Sequence, residues 1–176
     1  MVAGTLDWTP AGRRLDLLAA PVAEAVRELG DDAAVRVAEI DPDLADTATF
    51  CERYGVRMDE SANCVIVAAR RGGEVRYAAC VVLATTRVDV NGVVRRHLGA
   101  RKASFAPQDD AVRLTGMEYG GITPLGLPEE WPVLVDEAVA AHPEVVVGSG
   151  VRRSKLAVPG EIIAAGATAK VLALAI

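Results

Sequence analysis

Apolar positions at Leu15, Leu18, Val22, Val26 and Leu29 recur close to the helical period. The spacing predicts an amphipathic helix, with Thr9 as N-cap, Pro10 at its first position and Gly30 closing it. Pro21 is expected to kink this run or split it into two helices. From Ala34 to Ile40 apolar and polar residues alternate imperfectly, as in a half-buried strand. Asp41-Pro42-Asp43 reads as a turn, and Leu44 to Tyr54 as a short helix capped by Asp43 or Asp46 and stopped by Gly55. Two apolar runs, Cys64 to Ala69 and Glu74 to Ala84, flank Arg70-Arg71-Gly72-Gly73 and predict a β-hairpin. Val88 to Gly99 does not alternate and reads as a helix capped by Asp89.

Further along, Ala111 to Thr115 is expected to be a strand, Tyr119 to Pro132 a loop, and Val133 to Ala141 a helix. Val145 to Val147 reads as a strand that ends in Gly148-Ser149-Gly150. Pro159 opens a last short helix, Gly166 closes it, and Ala169 to Leu174 makes a final strand. Hairpins sit beside isolated helices without strict βαβ alternation, which argues against a doubly wound parallel sheet. The expected fold is a single α+β domain with a mixed, mostly antiparallel, barrel-like sheet flanked by helices.

Composition narrows the chemistry. The chain has 176 residues, 51% of them hydrophobic and only 4% aromatic, so the core is expected to be Val, Leu, Ile and Ala. A net charge of −5 argues against a generic basic nucleic-acid binder. Cys51, Cys64 and Cys80 form no Cys-x-x-Cys pair, and His97 and His142 lie far apart. That pattern predicts neither a disulfide scaffold nor a clustered zinc site, and fits a reducing cytoplasm. No apolar stretch approaches the ~18 residues of a membrane helix, and the start of the chain has no apolar core of signal-peptide length. The expected protein is cytoplasmic, with no membrane contact, metal or cofactor.

Common catalytic signatures are absent: there is no phosphate-loop GKS/GKT, no HExxH and no GxSxG. Gly148-Ser149-Gly150 reads as a turn after a strand, or as a nest of N–H groups for an anion. Cys64 reads as a small buried hydrophobe ahead of a nucleophile. His97 reads as a partner of a helix dipole ahead of a base. Arg95-Arg96-Arg101-Lys102 and Arg152-Arg153-Lys155 are two basic clusters, solvated surface unless they flank one groove. The strongest local feature is Tyr119-Gly120-Gly121-Ile122-Thr123-Pro124-Leu125-Gly126, whose glycines and proline fix a special backbone path. Such a loop is either plain structure or a close backbone approach to a small ligand.

The stretch Gly120-Gly121-Ile122-Thr123-Pro124-Leu125-Gly126 resembles the G-x-x-x-P loop of the YbaK/prolyl-tRNA-synthetase-associated editing-domain family. Leu98-Gly99-Ala100-Arg101-Lys102-Ala103 resembles its LGAKKA stretch, and Ala111 to Thr115 its strand before the loop. Val145 to Gly150 resembles its later strand and glycine turn, Pro159 to Leu174 its closing helix and strand, and Thr47 to Val56 its LGV helix. The resemblance implies a domain over residues 34–176, with residues 1–33 as an N-terminal helical segment of the same domain. It implies a free-standing deacylase that hydrolyses the ester of a mischarged tRNA of the Ala- or Cys-tRNA(Pro) type, without metal or cofactor. Its partners would be the tRNA acceptor end and an aminoacyl-tRNA synthetase.

By the same resemblance, Asn63, Gly120 and Gly121 take the catalytic positions. Ile122, Thr123, Pro124, Gly126, Gly148, Ser149 and Gly150 line the substrate, and Arg101, Lys102 and Arg152 meet the tRNA. One position departs from the family pattern. Members carry a lysine at the start of the strand after the LGV helix, which anchors the terminal phosphate or orients the ester. Here that position falls on Asn63, or on Cys64 with a shift of one, and neither is cationic. Lys102 stands as a surrogate cation or as a solvated helix-end lysine. The alternative function is a weak or inactive member that binds tRNA or a protein.

Overall fold

The computed structural model describes residues 4–176; the first three positions of the expected N-terminal segment lie outside the described residues. In chain order the elements are β1 (Thr9–Pro10), α1 (Ala20–Leu29), β2 (Arg36–Glu39), α2 (Thr47–Tyr54), β3 (Ala62–Arg71) and β4 (Glu74–Leu83). A π-helical turn, Val90–Val94, continues into α3 (Arg95–His97). Then follow β5 (Lys102–Phe105), α4 (Gln108–Thr115), β6 (Val133–Asp136), α5 (Glu137–Ala140), β7 (Val145–Gly148), β8 (Ser154–Val158), α6 (Gly160–Ala164) and β9 (Ala169–Leu172).

The strands form two sheets, ordered β1-β2-β8-β7 and β5-β3-β4-β6-β9. The first is antiparallel throughout, whereas β6 joins β4 and β9 in parallel. A parallel bridge between Ser61 and Val146 links the sheets. Mixed pairing, mostly antiparallel, with helices around it, is the α+β class that the sequence predicts.

Strand alternation assigns each residue to one of three apolar layers. Ile66, Val81, Val133 and Val135 of one sheet meet Val37, Val147, Leu156 and Val158 of the other, with Val22 and Val26 of α1 closing the same core. The intervening Val67, Cys80, Val82 and Leu134 face outward and are covered by Val90, Val94 and Leu174. Val146 points the other way, toward Phe50 and Cys51 of α2. The α2 layer positions the cleft described below.

Four expectations need correction. Thr9 and Pro10 pair with Val37 and Arg36 as a strand, rather than starting a helix. Pro21 lies in the first turn of α1, where its missing N–H costs nothing, so it opens the helix instead of kinking it. Ala111 to Thr115 is the second half of helix α4, not a strand. Ala111 and Thr115 are buried one turn apart, Asp109 and Asp110 sit in the first turn, and Gly116 closes it with φ 69°. Val133 to Asp136 is a strand buried on both faces, the pattern of a parallel strand, and only Glu137–Ala140 is helical. Asp136 makes the switch: Oδ2 accepts from Ala138 N at 3.1 Å, while Oδ1 accepts from Leu174 N at 2.9 Å.

The hairpin is as the sequence predicts. Gly72 and Gly73 take φ of 58° and 81°, so β3 and β4 pair through a two-residue turn over their full length. Asp89 caps the Val90 turn by accepting from Gly92 N and Val93 N. Gly30 and Gly55 close α1 and α2 with positive φ.

Candidate active site

A cleft of about 570 Å³ opens between the start of α2, the start of β3, the glycine loop and the β7–β8 corner. Its walls include Asp46, Thr47, Asn63, Cys64, Tyr119, Gly120, Ile122, Gly148, Arg152 and Lys155. The strand β3 is antiparallel to β4, and its first residues share the cleft wall with Gly120 and Ile122 of the glycine loop. There Asn63, sixteen residues beyond Thr47, accepts a hydrogen bond from the Thr47 hydroxyl at 2.8 Å.

The glycine loop and the β7–β8 corner are fitted to each other by backbone contact. Gly121 O accepts from Gly150 N at 2.7 Å, Gly121 N donates to Glu118 O at 2.9 Å, and Glu118 N donates to Gly150 O at 2.8 Å. A Cβ on Gly148 would lie 2.4 Å from Gly121 O and 2.8 Å from Ile122 O. A Cβ on Gly121 would lie 2.8 Å from Val151 O. These are closer than carbon and oxygen can approach, so glycine is required on both sides of the seam.

The sequence-predicted residues divide. Asn63, Gly120, Ile122, Gly148 and Arg152 line the cleft. Gly121 lies behind it in the seam. Gly126 and Gly150 instead press on the N-terminal segment: a Cβ would meet Pro21 O at 2.4 Å and Ala19 Cβ at 2.4 Å. Ser149 and Thr123 are fully buried. The Ser149 hydroxyl contacts Val151 O and Ser154 O, each at 3.0 Å, so it is a structural pin. Pro124 is buried within the loop and, like these, is absent from the cleft wall.

Arg101 lies in a separate depression with Arg71, Gly72, Arg95 and Gly99. Lys102 is exposed on strand β5, paired with Arg70, and does not line the cleft. It is therefore neither the surrogate cation of this cleft nor a helix-end lysine. Arg152 is half-buried at the cleft wall: its guanidinium donates to Tyr119 O at 3.2 Å and its backbone N–H to Glu118 Oε1 at 2.8 Å.

Lys155 is the residue that sequence reasoning passed over. It stood there only as part of a basic cluster, yet it is 7% exposed and its ammonium lies at the cleft. On β8 it sits opposite Ala38 on one side and Gly148 on the other. Both neighbours are small, which leaves room for a lysine stem on that face. Its Nζ donates to Ala45 O at 2.8 Å and sits 5.2 Å from the centre of the Phe50 ring. Burial lowers its pKa from 10.5 to about 8, against smaller upward contributions from Cys51 and Asp46; Arg152 adds to the lowering. The available signal was Ser154-Lys155-Leu156-Ala157-Val158, a lysine inside an otherwise small and apolar strand.

Cys64, half-buried at the cleft, has its thiol pushed far up by burial and by nearby Cys80. It is a neutral thiol at physiological pH and a poor nucleophile. Among the described residues, no cluster of three or more His, Cys, Asp or Glu is disposed to hold a metal ion, and no helix is long and apolar enough to cross a membrane. What the cleft presents is a buried amine, a polar pair at Thr47 and Asn63, and close-packed backbone.

Comparison with known proteins identifies the family and the fold. Residues 41–164 match the profile of the aminoacyl-tRNA editing domain. Among solved structures, a candidate trans-editing enzyme for prolyl-tRNA synthetase is similar with a TM-score of 0.74 at 21% identity, covering 96% of this chain and 98% of that one. A hypothetical protein is similar with a TM-score of 0.74 at 21% identity, over 86% of this chain and 99% of that one. A candidate signal-transduction protein of Marinobacter aquaeolei VT8 has a TM-score of 0.56 at 20% identity, over 89% of this chain and 30% of that one. At these identities the structures speak for the shared fold, while the profile spans most of the chain and every wall of the cleft. The chain belongs to the aminoacyl-tRNA editing-domain family.

Proposed function

We propose that the protein is a trans-acting deacylase that hydrolyses the ester of a mischarged tRNA, of the Ala- or Cys-tRNA(Pro) type. The observation that carries this reading is the cleft itself: a glycine seam that brings backbone to its wall, faced by polar Thr47 and Asn63 and by buried Lys155. An aminoacyl ester is already activated, so holding its carbonyl against fixed dipoles supplies much of the needed rate. Water, the neighbouring ribose hydroxyl or a substrate thiol serves as nucleophile. The tight backbone packing of Gly148 against Gly121 and Ile122 favours a small aminoacyl side chain at that wall. Arg152 at the cleft wall suits the phosphates of the acceptor end, and the aminoacyl-tRNA synthetase that makes the mischarged tRNA is the natural protein partner. On this reading residues 34–176 carry the function, and Leu17, Ala19 and Pro21 of the segment before them brace the seam.

The test is release of amino acid from a panel of mischarged tRNAs by the wild-type protein. Release faster than in buffer, greatest for Ala- or Cys-tRNA(Pro), supports the reading; none above buffer on any tRNA refutes it. One observation favours a second reading. Asn63 gives the cleft no charge from β3 and is held by Thr47. A binding module without turnover would bind tRNA in a salt-dependent manner and release nothing.

A further inference from the structure

Lys155 is buried in an unusual way. An ammonium has three N–H donors, and here one is used, on Ala45 O. Among the described residues Lys155 makes no ion pair, although Asp46 shares the cleft wall. The contrast is half-buried Arg36. Arg36, at 18% side-chain exposure, meets Glu144 at 2.6 Å on a partner that is itself 10% exposed. A buried charge without a charged partner is costly to hold in a fold. The ammonium also lies 5.2 Å from the centre of the Phe50 ring, and Lys155 shares the cleft wall with polar Asn63 and with Gly148, its neighbour on β7.

Depth separates the two cations of the cleft. Arg152 is half-buried, at hand for a phosphate that stays partly in water. Lys155 is nearly out of water, where a cation acts most strongly on charge that appears only during reaction.

We propose that Lys155 stabilises the oxyanion formed at the ester carbonyl, so that β8 supplies the cation that Asn63 on β3 does not. The inference rests on the deacylase reading and names the group that performs its chemistry. Water adds to the carbonyl carbon and the C=O electron pair moves onto oxygen, which the ammonium meets. Collapse re-forms the C=O bond and breaks the bond to the ribose oxygen. That oxygen leaves with a proton from the attacking water, and the amino acid leaves as its carboxylate with the second proton released to solvent.

The test uses the full chain, as wild type, Lys155→Met and Lys155→Arg, and two stable analogues of alanyl-adenosine. One carries a tetrahedral anionic phosphonate in place of the ester; the other carries a planar neutral amide. Calorimetry is expected to show the phosphonate binding at least tenfold tighter than the amide in wild type. Lys155→Met should lose that preference with less than twofold change for the amide, and Lys155→Arg should keep most of it. Raising the pH through the range where the amine loses its proton should remove the preference in wild type and not in Lys155→Arg. Asp46, Cys51 and Arg152, which face the amine, are unchanged in all three proteins.

Equal binding of both analogues by wild type, failure of wild type to bind either, or an undiminished preference in Lys155→Met overturns the proposal. Turnover is read separately. A wild type that deacylates tRNA while Lys155→Met keeps both kcat and the phosphonate preference removes the role of Lys155 alone. A wild type that deacylates nothing yet shows a Lys155-dependent phosphonate preference removes the deacylase reading and leaves an anion site.

Discussion

Replacing Lys155 by methionine should make the protein more stable at neutral pH, although it removes a hydrogen bond. In the unfolded chain this lysine titrates near the ordinary value of 10.5, and in the fold near 8. At about 1.4 kcal/mol per pH unit, that gap is about 3 kcal/mol of penalty for keeping the ammonium charged inside the fold. Methionine is close in length and apolar, so it escapes the penalty. It leaves Ala45 O without its partner, which costs about 1–2 kcal/mol. The net expectation at pH 7 is a variant more stable by about 1–2 kcal/mol. Between about pH 8 and 10.5 the unfolded state binds more protons than the folded state, so this group makes wild-type stability rise with pH; below pH 8 the penalty is fully present. The stability difference between the two proteins should therefore narrow by about 3 kcal/mol from pH 7 to pH 11 and change sign. Urea unfolding of both proteins across that range measures it, since groups common to both cancel in the difference. A difference that stays flat with pH would refute the claim that Lys155 is a desolvated ammonium. A variant more than ~2 kcal/mol less stable at pH 7 would show that the lysine is held for structure.

Other expectations follow from the same cleft. Gly148→Ala forces a Cβ to within 2.4 Å of Gly121 O, so it should lower stability by roughly 1–3 kcal/mol and abolish deacylation, read by urea melts and amino-acid release. Arg152→Ala should weaken tRNA binding by a similar factor across tRNA sequences and reduce the slope of log affinity against log salt by about 1. Asn63→Lys puts a second ammonium in the cleft beside Lys155, so alone it should give no gain in kcat, whereas Asn63→Lys combined with Lys155→Met should recover part of the activity lost in Lys155→Met. Cys64, with its thiol pushed far up, should resist iodoacetamide at pH 7.5 by mass spectrometry of the folded protein, and Cys64→Ser should deacylate normally.

What was legible in the sequence was mostly local. Gly72-Gly73 sits between two apolar runs and could only turn a hairpin, and Asp89, Gly30 and Gly55 act as caps through short-range bonds. The glycine loop also stood out, because its constraint is written in residue type. The failures arose where tertiary contact decides. Val133-Leu134-Val135 is fully buried between β4 and β9, and a run buried on both faces has no period that separates strand from helix. Ala111–Thr115 is apolar enough for a strand, and only Asp109, Asp110 and Gly116 at its ends mark the helix. Of the residues singled out in the sequence, Asn63, Gly120, Ile122, Gly148 and Arg152 line the cleft, whereas Gly126 and Gly150 press on the N-terminal segment and Ser149 pins the β7–β8 corner. Lys155 left only a faint signal, a lysine within a small, apolar strand. A lysine is usually solvated, and its burial comes from register: Ala38 and Gly148 flank it only once β8 is placed between β2 and β7.

The most direct measurement is single-turnover deacylation of Ala-tRNA(Pro) and Cys-tRNA(Pro) by wild type and Lys155→Met at pH 7. The account predicts release well above buffer hydrolysis by wild type and a loss of ~10²–10³ in rate in the variant, the usual effect of removing one oxyanion-stabilising group. Buffer-level release by wild type on both tRNAs, or equal rates in the two proteins, would contradict it.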